Sequence, residues 1–506
     1  MLSAIYEGMT CQPPSVFDSG NCRQGGYPVY VVNASSVADI QLAVNFARNT
    51  GVRFVVKNTG HDFAGKSGGA GALSVWTHNL KDISFIPSYS SSHYTGPAVK
   101  AAAGVQGFEL YAAARDYGVA VLSGECPTVG MVGGWVQGGG HSPLSGVLGM
   151  GADQVLGFEV VLADGRFVTA NAEENSELFW SLRGGGGLTY GVVTSAIVKA
   201  HPDMPITSAS FSFSTNANVT RDMFSAGLKA FYSYFPENAD RGIYSYFSMF
   251  NIDGAYSFSM APFFVVNQTA EEAKGILQPW LNDMDHIGIP ITPDWQSFDG
   301  FYEAYNASFP VEGVNNKGVV TGSRLFPRKN WANETIFNTT YDAIWSNLED
   351  GMALISYNMA PTWEKGGRED TAVNPAWRET IGFVITGIVQ DLTEPANKTM
   401  AERRNFTNGP MQHWRDISPG AGSYLAEGDR LEPNWQWSFY GSYYPRLLEA
   451  KKRLDPFNVF WAHTAVGSEF FELRSFNGLA DENGRLCRNE MPTLYVAEGP
   501  DWVPGQ

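Results

Sequence analysis

The chain lacks the features that would place it in a membrane or on nucleic acid. No run of about 18 apolar residues occurs, so the sequence offers no candidate for a membrane-spanning helix. Its 34 Lys and Arg are outnumbered by 51 Asp and Glu, which gives a formal charge of −17. Nucleic acids and anionic membranes require a basic footprint, and no extensive basic cluster is present. We therefore expect neither as a partner, and we expect a small substrate that is neutral or cationic.

Short metal-binding patterns are also absent. The eight histidines are scattered without a His-x-x-x-His spacing, and the four cysteines include no Cys-x-x-Cys pair. Zinc sites usually depend on such spacings. We predict no metal site.

Eight Asn-x-Ser/Thr sequons, together with the acidic charge, favour a secreted glycoprotein. They begin at Asn33, Asn218, Asn267, Asn306, Asn333, Asn338, Asn397 and Asn405. Residues 1–8 have neither the basic start nor the apolar stretch of a secretory leader, so we expect the leader to lie upstream of Met1. Our expectation is an extracellular protein, and a monomer.

In an oxidising extracellular compartment, cysteines can form disulfides. Cys11 and Cys22 bracket a loop rich in Pro, Gly and Ser, and we predict a disulfide between them. Cys487 is then either a buried thiol or the partner of a cysteine upstream of Met1.

The first 200 residues alternate short strands with helices. Residues 29–33 and 53–57 have the composition of strands, and 37–48 between them have helical apolar spacing. A helix is predicted over 108–117, and Asp164-Gly165 predicts a hairpin turn after a strand at 158–163. No Gly-x-Gly-x-x-Gly follows these strands, which argues against a Rossmann dinucleotide site.

The pattern changes near residue 208. Residues 209–214 and 244–250 alternate polar and apolar side chains, as antiparallel strands with one wet face do. Helices are predicted at 269–283, at 338–350 and at 443–456, the last closed by Asp455-Pro456. We predict domains over 1–207 and 208–440, followed by a C-terminal segment over 441–506.

Two nucleophiles lie in glycine-rich turns. His61 occurs in Lys-Asn-Thr-Gly-His-Asp-Phe-Ala-Gly at 57–65, and Cys126 in Gly-Glu-Cys-Pro-Thr-Val-Gly at 124–130. Glycine lets backbone amides approach a flat ring or a pyrophosphate, and both side chains can add to an oxidised isoalloxazine. The pair indicates redox chemistry on a flavin.

These motifs, followed in order by glycine-rich segments at 133–141, 151–155 and 179–187, resemble the vanillyl-alcohol-oxidase type of FAD protein. Within that type, the chain is most similar to the berberine-bridge-enzyme-like oxidases, strongly over 25–200 and weakly over 443–460. The resemblance implies an α+β fold, with a PCMH-type FAD-binding domain and a substrate domain whose antiparallel sheet is covered by helices. It also implies that 441–506 returns to the FAD domain.

The resemblance further implies FAD bonded through its 8-methyl carbon to His61 and through C6 to Cys126. Two glycine-rich loops beside these residues form a credible pyrophosphate cradle. The further cofactor contacts that we expect are Asn58, Thr59, Gly60, Asp62, Gly130, Gly133, Gly134 and His141, with Gly187 and Val193 nearer the adenine.

Val129 resembles the position that lines the oxygen pocket over the flavin in this family. Valine there goes with oxidases and isoleucine with dehydrogenases. A β-branched residue can also be plain packing, but the valine favours an oxidase.

The catalytic base is harder to place. Relatives that oxidise sugars use a tyrosine in Tyr-x-Asn-Tyr-x-Asp, and residues 424–429 read Tyr-Leu-Ala-Glu-Gly-Asp. Glu427 and Tyr424 are therefore the candidates, because a carboxylate in an apolar pocket can take an alcohol proton near neutral pH. The alternative is that Glu427 is a solvated loop residue. A second family position falls near Val384, Ile385 and Thr386, which are not bases, and this speaks against berberine-type ring closure.

We expect a secreted oxidase that transfers hydride from a carbon bearing a hydroxyl, in an alcohol or carbohydrate, to FAD and passes electrons to O2. The alternatives are an FAD-dependent dehydrogenase, an oxidative cyclase of secondary metabolism, or a flavin-carrying binding protein without catalysis.

Overall fold

A computed structural model describes residues 4–8, 10, 22–310, 318–391, 393–492 and 494–498. Cys11 lies outside these ranges, so its pairing with Cys22 stays a prediction. Cys487 lies in a strand near the C-terminus and is a free thiol.

A small parallel sheet carries the first functional loop. Strand β1 (Tyr30–Asn33), helix α1 (Val37–Thr50), strand β2 (Phe54–Lys57) and strand β3 (Leu73–Trp76) form it, and β3 lies between the other two strands, parallel to both. Helix α1 begins with a capping box at Ser36 and ends at Gly51, whose φ is +70°. The strand–helix–strand unit predicted from 29–57 is confirmed, and β2 leads directly into the loop of His61.

A second sheet, antiparallel throughout, has the order β4-β5-β9-β7-β8. The predicted helix near 108–117 and the hairpin around Asp164-Gly165 are confirmed. Strand β4 escaped prediction because Pro87 and a bulge between Ile86 and Tyr89 interrupt it, which an edge strand tolerates. The elements of this region are β4 (Ile83–Ser90), β5 (Thr95–Ala102), α2 (Gly107–Asp116), β6 (Val119–Ala120), α3 (Ser145–Leu148), β7 (Val155–Val161), β8 (Phe167–Ala170), α4 (Ser176–Leu182), β9 (Val192–Lys199) and β10 (His201–Pro202), with β6 and β10 paired.

A seven-stranded antiparallel sheet follows, in the order β14-β11-β13-β12-β16-β17-β15. The predicted strands at 209–214 and 244–250 are confirmed as parts of β11 and β12. Helix α9 begins four residues before the predicted 338, because the Asn333 side chain accepts the Ile336 amide at 3.0 Å. The elements are β11 (Ile206–Ser214), α5 (Arg221–Ser233), α6 (Phe235–Asp240), β12 (Tyr244–Ile252), β13 (Ala255–Val266), α7 (Ala270–Ile287), β14 (Asp294–Phe298), α8 (Phe301–Ser308), β15 (Val319–Pro327), α9 (Glu334–Glu349), β16 (Ala353–Asn358), α10 (Ala376–Glu379) and β17 (Thr380–Val389).

The helices around this sheet are amphipathic. Phe224, Leu228 and Phe231 of α5 are buried, as are Leu277 and Trp280 of α7, and they join the core on one side of the sheet. Within the described ranges, no helix has both the length and the hydropathy to cross a bilayer. The resulting α+β architecture agrees with the expected fold class.

The C-terminal part packs back onto the N-terminal sheets. The buried Lys451 Nζ donates to Thr189 O at 2.9 Å and to Phe460 O at 2.7 Å, and the Phe460 ring lies 5.8 Å from that of Phe54. The domain limits themselves stay a prediction. The elements here are α11 (Ala396–Asn408), α12 (Pro410–Asp416), α13 (Trp435–Tyr440), α14 (Tyr444–Leu454), β18 (Phe471–Ser475) and β19 (Gly484–Arg488).

One buried ion pair joins the N-terminal region to the seven-stranded sheet. Arg378 of α10 donates through both Nη atoms to the two carboxylate oxygens of Asp153, at 2.7 Å each, and both side chains are about 1% exposed. The paired geometry offsets the desolvation of the two charges.

We predict that Asp153→Asn destabilises the protein by about 3–5 kcal/mol, because it leaves the Arg378 charge buried without its counter-ion. Thermal unfolding measures the loss. Arg166→Gln is the control, since the pair of Arg166 with Asp164 is exposed and such pairs contribute only about 0–1 kcal/mol. Equal losses in the two variants would contradict the prediction.

Candidate active site

A deep cleft lies between the glycine-rich loops and strands β16 and β17 of the seven-stranded sheet. It encloses about 1550 Å³ of empty space when its open mouth is counted. Every cofactor and catalytic residue that we expected from the sequence lines this cleft: Asn58, Thr59, Gly60, His61, Asp62, Cys126, Val129, Gly130, Gly133, Gly134, His141, Gly187, Val193, Tyr424 and Glu427. The structure therefore brings together residues that are up to 369 positions apart, while their individual roles stay predictions.

His61 and Cys126 meet at one hydroxyl. Thr128 Oγ1 lies 2.7 Å from His61 Nε2 and 3.8 Å from Cys126 Sγ. Cys126 is not part of a disulfide. A flat ring lying along this edge of the cleft would therefore be within reach of both nucleophiles.

The environment keeps His61 neutral. Burial lowers its pKa to about 4, so the imidazole has a lone pair at neutral pH. Because Nε2 is engaged with Thr128, Nδ1 is the nitrogen left to act as a nucleophile.

The loops of His61 and Cys126 meet at Asn58 and Thr59. Its Nδ2 donates to Thr77 Oγ1 at 3.0 Å and to the Ala103 carbonyl, and the Gly130 amide donates to Thr59 Oγ1 at 3.2 Å. A Cβ on Gly130 would overlap Asn58 Oδ1, and one on Gly133 would lie 2.7 Å from Asn58 Cγ. Glycine is required at both positions because the loops approach so closely.

Other parts of the loops leave space and polar groups for a ligand. Asn58 Oδ1 is buried and has no partner, which in a folded protein usually marks the place of a ligand or water. A Cβ on Gly134 would meet no atom within 4 Å, and one on Gly187 would lie 3.3 Å from Gly134 Cα. Gly60 has a φ of +88°, a left-handed conformation that glycine adopts readily, and it forms the turn before His61.

Asp62 supports the first loop rather than facing outward from it. Its Oδ1 accepts the amides of Ala64 and Lys66 at 3.0 and 3.1 Å, and its Oδ2 lies 3.0 Å from Lys66 Nζ. Lys66 Nζ also donates to the Leu425 carbonyl at 2.8 Å. The loop of His61 is thereby fixed against the segment that carries Tyr424 and Glu427.

Glu427 is a cleft residue, so its interpretation as a solvated loop residue is wrong. Its side chain is 19% exposed, Oε1 lies 3.5 Å from His141 Nε2, and Oε2 is buried without a partner. Burial alone would lower the pKa of His141, but Glu427 and Glu125 raise it above its ordinary value. His141 therefore stays protonated to higher pH than an ordinary histidine and balances the charge of Glu427.

Tyr424 is buried beside this pair, with its ring 5.5 Å from that of His141. Burial, and then the Glu427 charge, raise the pKa of the phenol well above 10. At neutral pH Tyr424 is therefore a hydrogen-bond donor, which leaves Glu427 as the candidate proton acceptor of the two.

Other candidates lie elsewhere. Asp429 accepts Thr407 Oγ1 at 2.5 Å, outside the cleft, where burial raises its pKa to about 6. Thr386 Oγ1 donates to the Ala353 carbonyl, while Ile385 lines the cleft, so no base is present at that family position. Five aromatic residues of the C-terminal half do not line the cleft: Trp363, Trp435, Trp437, Tyr440 and Tyr443.

Two groups of the site were missed from the sequence: Glu125, which lines the cleft, and Thr128, whose hydroxyl lies beside both nucleophiles. Both lie inside the cysteine motif, where we expected roles for Cys126, Val129 and Gly130. Glu125 is bonded to hydroxyls of Tyr244 and Tyr357, which follow it by 119 and 232 positions. No local pattern in the sequence predicts hydrogen bonds between residues so far apart in the chain.

The residues present fit FAD. The glycine loops provide a backbone cradle without protruding side chains, Asn58 provides an unpartnered buried oxygen, and two nucleophiles lie at one edge.

Comparison with known proteins agrees with this fit. Residues 28–171 match the family described as FAD binding domain, and residues 423–467 match berberine and berberine-like proteins. The chain is 38% identical over 504 residues to the FAD-linked oxidoreductase ZEB1 of Gibberella zeae, covering 97% of this chain and 84% of that protein.

Solved structures agree as well. The VAO-type flavoprotein MtVAO615 of Myceliophthora thermophila C1 superposes with a TM-score of 0.85 at 34% identity, over 96% of this chain and 86% of that one. A glucooligosaccharide oxidase of Acremonium strictum, which carries a 6-S-cysteinyl, 8α-N1-histidyl FAD, shares the fold, with a TM-score of 0.70 at 20% identity over 87% and 92%.

The fold and the cleft therefore define an FAD-dependent oxidoreductase. The chain belongs to the berberine-bridge-enzyme-like family of vanillyl-alcohol-oxidase flavoproteins.

We predict that Gly134→Ala folds normally but binds less FAD, because the added methyl group meets no protein atom and projects into the cleft. Flavin absorbance per polypeptide measures the occupancy, and thermal unfolding reports the fold. Gly275→Ala in α7 is the control, since its Cβ also meets nothing within 4 Å and lies in a helix outside the cleft. Full flavin content in Gly134→Ala would show that the cradle lies elsewhere.

Proposed function

We propose that this protein is an oxidase that converts a carbon-bound hydroxyl of a small alcohol or carbohydrate to a carbonyl, with FAD bonded to both His61 and Cys126. The observation that carries the proposal is the single cleft, in which both nucleophiles and a buried carboxylate are present together. We further propose that the protein acts as a secreted monomer, on the basis of its eight sequons and its acidic charge.

Bonding at both residues is supported by the position of Thr128. When His61 Nε2–H donates to Thr128 Oγ1, the lone pair of Nδ1 is available, and the hydroxyl proton of Thr128 can turn toward Cys126 Sγ. One hydroxyl then prepares both nucleophiles. The doubly bonded FAD of the Acremonium strictum oxidase is a precedent within the same fold.

The chemistry requires a proton acceptor and a hydride acceptor. When bound between His61 and Cys126, FAD would supply the hydride acceptor and would pass two electrons, with two protons, to O2 to give H2O2. Glu427 takes the hydroxyl proton of the substrate, and Tyr424, held protonated by its raised pKa, donates a hydrogen bond. His141 stabilises the ionised form of Glu427 from 3.5 Å.

We predict that flavin stays with the acid-denatured polypeptide. The single variants His61→Ala and Cys126→Ala should each retain it through the other residue, and the double variant should release it. Absorbance of the precipitate and of the supernatant measures the distribution. Release from the wild-type protein would overturn the double attachment.

The distribution of flavin between precipitate and supernatant, combined with peptide mass spectrometry, also tests the contribution of the Thr128 hydroxyl to attachment. Thr128→Val keeps the shape but removes the hydroxyl, so the fraction of chains with both bonds should fall. Thr128→Ser retains the hydroxyl and is the matched control. If valine allows both bonds as fully as serine does, the hydroxyl has no part in attachment.

We predict that Glu427→Gln lowers the rate of anaerobic flavin reduction by about 10² to 10⁴, the usual contribution of a general base. Tyr424→Phe is the paired variant and should have the smaller effect, since its phenol donates rather than accepts. Stopped-flow absorbance measures both rates. Wild-type rates in both variants would mean that the proton acceptor lies elsewhere.

We predict that Val129→Ile slows the reaction of reduced flavin with O2 and leaves anaerobic reduction nearly unchanged, because the extra methylene narrows the cleft beside Cys126. Reoxidation in air-saturated buffer measures the effect, with reduction by the same alcohol as the internal control. An unchanged reoxidation rate would remove this argument for an oxidase and favour a dehydrogenase.

A further inference from the structure

The wall of the cleft opposite the glycine-rich loops comes from two neighbouring strands. β16 and β17 are antiparallel, and Ile355 of β16 lies directly opposite Ile385 of β17. Side chains opposite each other on neighbouring strands point to the same face of the sheet and lie side by side. Both isoleucines line the cleft, Ile385 with 5% of its surface exposed and Ile355 half-buried. They form one continuous apolar patch, which we call the apolar wall.

The polar side chains next to this wall are turned away from the cleft or already bonded. Side chains alternate along a strand, so Ser356 and Thr386 point to the opposite face of the sheet, where their hydroxyls are bonded to other groups of the protein. Tyr357 does line the cleft, but its hydroxyl donates to Glu125 Oε1 at 2.9 Å. Within the described part of this sheet, the residues that line the cleft are Ile355, Tyr357 and Ile385.

The segment that adjoins the wall adds further apolar surface. Leu425 and Ala426 both line the cleft. Their backbone carbonyls are already bonded, since that of Leu425 accepts Lys66 Nζ at 2.8 Å and that of Ala426 accepts the Phe63 amide at 3.0 Å. The backbone of this segment therefore spends these acceptors on the loop of His61 rather than on a ligand.

This arrangement separates one polar position from an apolar surface. Tyr424 and Glu427 can bond the single hydroxyl that the proposed reaction requires. Further hydroxyls on a ring that lies against the apolar wall would lose their hydrogen bonds to water and gain none in return, which is unfavourable. An apolar ring in the same place gains from the burial of its surface.

We propose that Ile355 and Ile385 determine specificity: they select alcohols in which the carbon bearing the hydroxyl is attached to an apolar ring, as in aryl and alicyclic alcohols, and they reject sugars. This assignment deepens the proposed function and rests on it, since it places the flavin ring against the glycine-rich loops and the substrate between that ring and the apolar wall.

Calorimetric titration of the purified flavin-containing protein in anaerobic buffer measures the selection. The probes are phenol and 1,5-anhydroglucitol, two six-membered rings of which the first carries a single hydroxyl and the second several. We expect phenol to bind the wild-type protein at least about tenfold more tightly, a ratio that corresponds to about 1.4 kcal/mol.

Ile385→Thr keeps a β-branched side chain in the strand but puts a hydroxyl into the wall. Phenol should then bind more weakly and the sugar more tightly, so that the ratio of affinities falls by about tenfold. Ile355→Thr should change the ratio in the same direction from the neighbouring strand.

Two matched controls separate polarity from size and from folding. Ile385→Val shortens the same side chain without adding a hydroxyl, so the ratio should stay close to that of the wild type. Ile388→Thr makes the same polar substitution on the same strand, but its side chain packs against the core on the other side of the sheet, and the ratio should again be unchanged.

Two results would overturn the proposal. If 1,5-anhydroglucitol binds the wild-type protein as tightly as phenol does, or if phenol does not bind, the wall does not select, and this result needs no variant to fold. If Ile385→Thr and Ile385→Val change the ratio equally, the polarity of the wall has no part in selection. The proposed function fails separately, when neither aryl alcohols nor sugars reduce the flavin under anaerobic conditions, and that outcome leaves the two affinities measurable.

Discussion

The close approach of two loops at Asn58 is the constraint on which the site depends. Asn58 fills the space that side chains at Gly130 and Gly133 would occupy, so the loop of His61 and the loop of Cys126 pack against each other without intervening atoms. This contact lets Thr128 reach both nucleophiles. A larger residue at either glycine would separate the loops, and the two nucleophiles with them.

The seven-stranded sheet completes the cleft from the other side. Strands β12 and β16 supply the tyrosines that hold Glu125, while β16 and β17 supply the isoleucines of the apolar wall. The buried pair of Arg378 with Asp153 joins the two regions outside the cleft. Desolvation favours the neutral form of both neighbouring groups: it raises the pKa of Tyr424, whereas at His141 it is outweighed by Glu427 and Glu125, which raise the pKa above its ordinary value.

Much of the fold and of the cofactor site could be predicted from the sequence, because the motifs that specify them are local. Glycines beside His61 and Cys126 predicted a backbone cradle, and the period of apolar residues predicted α1, β11 and β12. The segment with Tyr424 and Glu427 could be placed in the site through a family resemblance, but the sequence did not predict that Glu427 lies 3.5 Å from His141.

The rest depends on long-range contacts that no local pattern encodes. Glu125 acquires its hydrogen-bond partners from tyrosines more than a hundred positions away, and β4 was hidden by the proline and bulge that its edge position tolerates.

The central claim is that one cleft holds a flavin ring between His61 and Cys126, with Glu427 facing the substrate. A crystal structure of the flavin-containing protein with phenol bound tests it most directly. The account predicts density that is continuous from the ring to both side chains, and phenol between the ring and the wall of Ile355 and Ile385. A ring bonded to neither residue, or phenol bound outside this cleft, would contradict it.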